Sequence, residues 1–271
     1  MTGICGWRRR RPSLFAGMVA AAIPVTILWP GAAQTGPMAQ PDADMALVVA
    51  VDTSNSVDDR RYHLQVEGIA KALEDPGVIN AITSGPLGGI FFSLVEWADR
   101  PQLDIPWVRI SSANDAKRVA GLVRALPRNP GNFTCMATML RSVADKVVTQ
   151  IPANATRVVI DVSGDGKDDC NSEVPVETIR DEIVGYGVTI NGLPILEAAE
   201  ATTLEAWYRD HVMGGVGAFV LPANGFADFG RAIRQKFVVE ISGLERRNRH
   251  QGVVVVDLLR RDLAREARDL R

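Results

Sequence analysis

The stretch "VDTSNSVDD", residues 51–59, ends an apolar run in Asp52 and then sets hydroxyls at Ser54 and Ser56. One carboxylate and two hydroxyls on a single turn are hard oxygen donors, and they make part of a site for a hard cation. A plainer reading competes. Ser56 with Asp59 three residues on fits a capping box, in which the hydroxyl only starts the next helix. The choice turns on where the chain places its other acids and hydroxyls.

From Met45 onward strand-like and helix-like segments alternate. "MALVVAVD", "GGIFFSLVEWAD" and "TRVVIDVSGDG" are continuous apolar runs, as expected of strands buried on both faces. "QLDIPWVRI" alternates more and contains Pro106, which suits an edge strand. Helical spacing marks "DDRRYHLQVEGIAKALED", stopped by "DPG", then "SANDAKRVAGLVRAL", "CMATMLRSVADKVV", "VPVETIRDEIVGYG", "TTLEAWYRDHV" and "FADFGRAIRQKFVVEI". "VTINGLPIL" and "GAFVLP" supply two further strands. The pattern predicts an α/β fold: a doubly wound, mostly parallel six-stranded sheet with one antiparallel edge strand and helices on both faces.

Of the 271 residues, 46% are hydrophobic and 23% charged, ordinary for a globular chain, and a net charge of −2 gives no nucleic-acid signature. At the N-terminus Arg8 to Arg11 precede an apolar run that ends in small residues, the layout of an export signal over residues 1–33. Pro24 and Pro30 interrupt that run, which favours cleavage over a lasting membrane span. Cleavage removes four arginines and no acid, taking the net charge from −2 to −6. Residues 34–44 read as a linker, 45–244 as the domain, and 245–271 as a basic break with an amphipathic helix. Cys5 leaves with the signal. Cys135 and Cys170 then have only each other in an oxidising compartment, which predicts a disulfide. Three histidines, at 63, 211 and 250, are too scattered for a zinc cluster.

In such a sheet ligands bind beyond the carboxyl ends of the strands. Three polar clusters belong on that edge: Asp52, Ser54 and Ser56; Thr134 in "GNFTCMATML"; and Asp165 in "VVIDVSGDGKDD". D-x-S-x-S after an apolar first strand, a later threonine at a helix start and an aspartate in an S-G-D-G turn resemble a von Willebrand factor A domain with its metal-ion-dependent adhesion site. The resemblance spans residues 45 to about 241, and "IDVSGDG" is most similar to a group of exported bacterial proteins of unknown function. It implies that Ser54 and Ser56 offer hydroxyls to the cation, that Thr134 binds directly or through water, and that Asp52 and Asp165 supply charge. It departs from many relatives in having Cys135 after the threonine.

An all-oxygen set suits Mg2+, with Mn2+ or Ca2+ as substitutes. Two carboxylates leave the ion under-neutralised, so the implied function is non-catalytic: capture of a carboxylate on a protein partner, in the periplasm or outside the cell. Each residue retains its structural reading, with Ser56 and Thr134 as helix caps and Asp165 as a turn former. A rival is a haloacid dehalogenase-type phosphatase, whose G-D-x-x-x-D turn "GDGKDD" fits; there, however, Ser54 stands where a general-acid aspartate is needed. The remaining alternative is a structural domain with an empty metal site.

Overall fold

The computed structural model describes residues 42–170, 172–197 and 201–243. The expected signal, most of the linker and the expected C-terminal helix lie outside these residues.

Among the described residues five strands form one sheet: β1 (Met45–Asp52), β2 (Ile90–Trp97), β3 (Gln102–Ile110), β4 (Val158–Gly164) and β5 (Thr189–Pro194). Their order is β3-β2-β1-β4-β5. All neighbours are parallel except β3, which runs antiparallel to β2 on the edge, where Pro106 needs no ladder partner on one side. β1 lies in the middle, and its apolar run serves two cores at once. Met45, Leu47, Val49 and Val51 point to one face, and Ala46, Val48 and Ala50 to the other.

The first face is covered by α1 (Asp59–Glu74), α2 (Pro76–Thr83), α3 (Ala113–Arg124) and α7 (Phe229–Ser242). The second is covered by α4 (Met136–Lys146), α5 (Val176–Gly185) and α6 (Ala201–Trp207). Helix α2 was not expected beyond the "DPG" stop. Asp75 caps it by accepting from the Gly77 N–H at 2.8 Å, and Pro76 occupies the first turn, where a missing N–H costs nothing.

The expected sixth strand, "GAFVLP", does not form as a strand. The segment runs parallel to β5 with the Gly192 N–H donating to the Phe219 carbonyl at 3.1 Å and the Leu221 N–H to the Gly192 carbonyl at 3.0 Å. The next rung would need an N–H from residue 194, and Pro194 has none. Pairing resumes only at Ile195 and Ala223, so isolated bridges replace a ladder. At the other end Ala43 bridges Ala155 and the buried Asp44 carboxylate accepts from the Leu87 N–H at 3.0 Å, so the packed body takes in both residues.

Beneath α7 lies a buried polar knot. The Lys236 ammonium sits 2.7 Å from Glu240 Oε1 and 3.2 Å from Asp161 Oδ1, with the Phe219 ring centroid at 4.2 Å. Asn191 donates to Glu240 at 2.6 Å. Burial, and then the charge of Glu240, hold the Asp161 carboxyl well above the usual carboxylate range. One cation therefore serves two acids in the core. Lys236→Met should cost about 3–5 kcal/mol at pH 8, because it strands buried acid groups. The cost should shrink at pH 5, where the raised Asp161 carboxyl takes up a proton; urea denaturation at the two pH values measures the difference.

Candidate metal centre

β1 and β4 are adjacent, so Asp52 at the end of one and Asp165 just past the other reach the same edge, at the point where the chain switches sides of β1. Asp52 is fully buried, and the Ser54 N–H donates to its Oδ1 at 2.8 Å. The Thr53 hydroxyl donates to the Asn129 carbonyl at 2.7 Å, and Gln65 donates to the Asp52 carbonyl at 3.0 Å. These bonds pin the strand tip.

The competing helix-cap readings can now be tested against the geometry. The cap of α1 is Asp58, whose carboxylate accepts from the Arg61 N–H at 2.8 Å. Ser56 is not used there. Its hydroxyl donates instead to Asp165 Oδ1 at 2.6 Å and lies 3.2 Å from the Ser54 hydroxyl. The residue preceding α4 is Cys135, and no side chain of that residue caps the helix. The other loop supplies a cap for α4 through Asp168 and a brace for the residue before its N-cap through Asp169. Asp169 Oδ1 accepts from the Thr134 N–H at 2.6 Å, and Asp168 Oδ1 accepts from the Ala137 N–H at 3.1 Å.

Ser54, Ser56 and Asp165 thus form one hydrogen-bonded chain anchored on Asp52, while Thr134 is buried beside the Asp165 turn. A Cβ built on Gly166 would lie 3.4 Å from the Thr134 hydroxyl oxygen. The Thr134 and Asp165 loops are further joined by a Cys135–Cys170 disulfide with Cα atoms 5.0 Å apart. The backbone adds a bond from the Asp169 N–H to the Thr134 carbonyl at 3.2 Å.

Electrostatically the site is short of positive charge. Burial, and then the like charge of Asp165, push the Asp52 carboxyl up to about 7 against the pull of its Ser54 bonds. Burial also raises Asp165. Asp52 Oδ2 is buried with no hydrogen-bond partner among the described residues. Two carboxylates and three hydroxyls are a hard donor set for an oxygen-seeking divalent cation, and an unpartnered buried carboxylate oxygen fits that role. Among the described residues no three His, Cys, Asp or Glu side chains gather as a metal cluster, so any cation here depends on the hydroxyls.

Sequence reasoning missed Asp168 as a helix cap and Asp169 as a brace of the Thr134 backbone, although "GDGKDD" carried both. It also missed Arg61, whose guanidinium donates to the Ser56 carbonyl, lies 3.3 Å from Glu197 and covers the Phe226 ring.

This fold, a parallel sheet with one antiparallel edge and such a cluster at its carboxyl edge, is that of a von Willebrand factor A domain. The chain belongs to the family described as "Protein of unknown function (DUF1194)", whose model matches residues 42–245. No protein with a curated description matches it. Among similar solved structures is proximal thread matrix protein 1 from the mussel byssus, at 17% identity and a TM-score of 0.54, over 75% of this chain and 48% of that one. A further structure of that protein, with a zinc-occupied MIDAS motif, has a TM-score of 0.55 at 17% identity, over 74% of this chain and 48% of that one. A von Willebrand factor type A protein from Catenulispora acidiphila has 18% identity and a TM-score of 0.52, over 73% of this chain and 43% of that one. The chain spans about half the length of these solved proteins.

The raised Asp52 carboxyl predicts how the cation-free protein responds to pH. The folded state keeps that proton to about pH 7, whereas an unfolded chain loses it near pH 4. The associated stability is complete below about pH 4 and is lost as the pH rises to about 7, an amount on the order of 4 kcal/mol. In chelator, Asp52→Asn should therefore raise the urea midpoint at pH 8 and change it little at pH 4.

The disulfide gives a second expectation. Closing a loop of sequence separation 35 is worth on the order of 4 kcal/mol in the chain-entropy model. Alkylation before reduction should label neither thiol, and replacing both cysteines by alanine should lower the melting temperature.

Proposed function

We propose that this is an exported, non-catalytic binding module. It holds a divalent cation, Mg2+ or in its place Mn2+ or Ca2+, at Asp52, Ser54, Ser56, Thr134 and Asp165, and uses it to capture a carboxylate of a partner protein. The observation that carries the reading is the convergence of two carboxylates with the Ser54 and Ser56 hydroxyls at the β1–β4 edge, with Asp52 Oδ2 buried and unpartnered. A cation there offsets the burial that raises both acids and the like charge that Asp165 adds to Asp52. With only two formal charges around it, the ion keeps an appetite for one more anionic oxygen. Zinc at the MIDAS motif of one similar structure supports a divalent ion, though not a particular one. A disulfide between Cys135 and Cys170 is consistent with export. No helix among the described residues is long and apolar enough to cross a membrane.

The phosphatase reading finds less support. Its turn would need the last aspartate of "GDGKDD" at the magnesium, but Asp169 is bonded to the Thr134 N–H. Lys167 donates to the Thr203 hydroxyl at 3.1 Å. Ser54, in the general-acid position, has no proton of suitable acidity to give a leaving oxygen.

Calorimetry with Mg2+ and Mn2+ tests the reading directly. Wild type should bind one ion, while Asp52→Ala and Asp165→Ala should lose binding and keep the far-ultraviolet spectrum of the fold. Undiminished binding by both variants would sink the proposal. A partner recovered by crosslinking without chelator should disappear when chelator is present.

A further inference from the structure

Tyr208 is fully buried, and its hydroxyl has no hydrogen-bond partner among the described residues. It enters from the second face of the sheet, at the point where α6 widens into a π turn over Tyr208–Val212, closed by the Met213 N–H donating to the Tyr208 carbonyl at 2.8 Å. Single π turns recur where a side chain has been re-aimed for function.

Two glycines clear its path. In β5, a Cβ on Gly192 would lie 2.7 Å from the Tyr208 ring at Cδ1. At the end of β4, a Cβ on Gly164 would lie 2.8 Å from Asp52 Oδ2 and 2.9 Å from the Tyr208 hydroxyl oxygen. Both oxygens therefore border the same point above Gly164, near enough for one water to reach both, and both lack partners. A buried phenol and a buried carboxylate oxygen without partners are individually costly, and here both border Gly164 beside the proposed cation site.

We propose that Tyr208 is a positioning residue of the cation site, its hydroxyl donating to a water shared with Asp52 Oδ2 and so orienting that carboxylate toward the ion. The inference rests on the cation reading of Asp52 and adds a residue on an element that none of the five ligand positions touches. A phenol donates and an ionised carboxylate accepts, so in the cation-bound state a shared water accepts from one and donates to the other. Outer partners of this kind typically govern metal affinity by about 10- to 100-fold.

The test is Tyr208→Phe, which removes one oxygen and leaves the ring between its glycines. Mg2+ and Mn2+ titration calorimetry on wild type, Tyr208→Phe and Asp52→Ala gives the affinities. Thermal melting in chelator gives the stability of the cation-free fold. The expected result is about a 10-fold or greater loss of affinity in Tyr208→Phe, with a cation-free melting temperature equal to wild type or higher, because the removed hydroxyl bonds no protein group among the described residues. Equal affinity in wild type and Tyr208→Phe overturns the inference and leaves the cation reading standing. Loss of affinity together with a marked drop in cation-free melting temperature also overturns it, since the hydroxyl would then serve the fold. Wild type that binds neither ion overturns the cation reading itself, and this inference with it.

Discussion

Two carboxylates brought together in a poorly solvated corner repel each other, and the organisation of this domain follows from holding them there. Asp52 and Asp165 end up together because β1 and β4 pair in register along six residues and both exit on the same edge. The Ser54 N–H, the Ser56 hydroxyl and the charge of Arg61 acting on Asp165 offset only part of the cost. The two apolar cores above and below β1 supply the stability that tolerates it. The fold thus tolerates a local electrostatic cost of the kind that concentrates at functional sites.

The domain separates the groups that make the site from the groups that hold it. Asp168, Asp169 and the disulfide act on backbone and loops, and none of them points its function at a cation. They bind the Thr134 and Asp165 loops into one unit, so that movement of one carries the other. Thr53, Asn129 and Gln65 do the same for the β1 tip. The loop from Asn129 is fixed in turn by the buried Glu96 carboxylate, which accepts both the Asn129 N–H and its side-chain amide at 3.0 Å.

Much of this was legible in the chain itself. Continuous apolar runs marked the central strands, Pro106 marked the edge, and the ordered spacing of Asp52, Ser54, Ser56, Thr134 and Asp165 placed five polar residues on one rim. What stayed hidden were relations between distant residues. Helical spacing alone does not mark Lys236 as buried, because its partner Asp161 lies on a distant strand. The surroundings of Tyr208 likewise depend on Gly164 and Gly192, which come from other elements. Whether Ser56 caps α1 or binds Asp165 depended on Asp58 being the better cap, a competition that residue types alone leave open.

Pro194 removed the sixth strand by withholding one N–H, and that omission shapes how the sheet meets its surroundings. An exposed β5 would be a row of unpaired donors and acceptors, a template on which another chain could add itself. The 217–223 segment lies over that border without becoming a regular strand. Its own Pro222 contributes no donor, and its pairing is broken between the Gly192 and Ile195 bridges. The sheet is thus bounded by antiparallel β3 with Pro106 on one flank and by an interrupted, proline-bearing cover on the other. Among the described residues each flank carries a proline that interrupts its row of donors, which disfavours growth of the sheet by strand addition at both borders and leaves the carboxyl edge to the Asp52–Asp165 cluster.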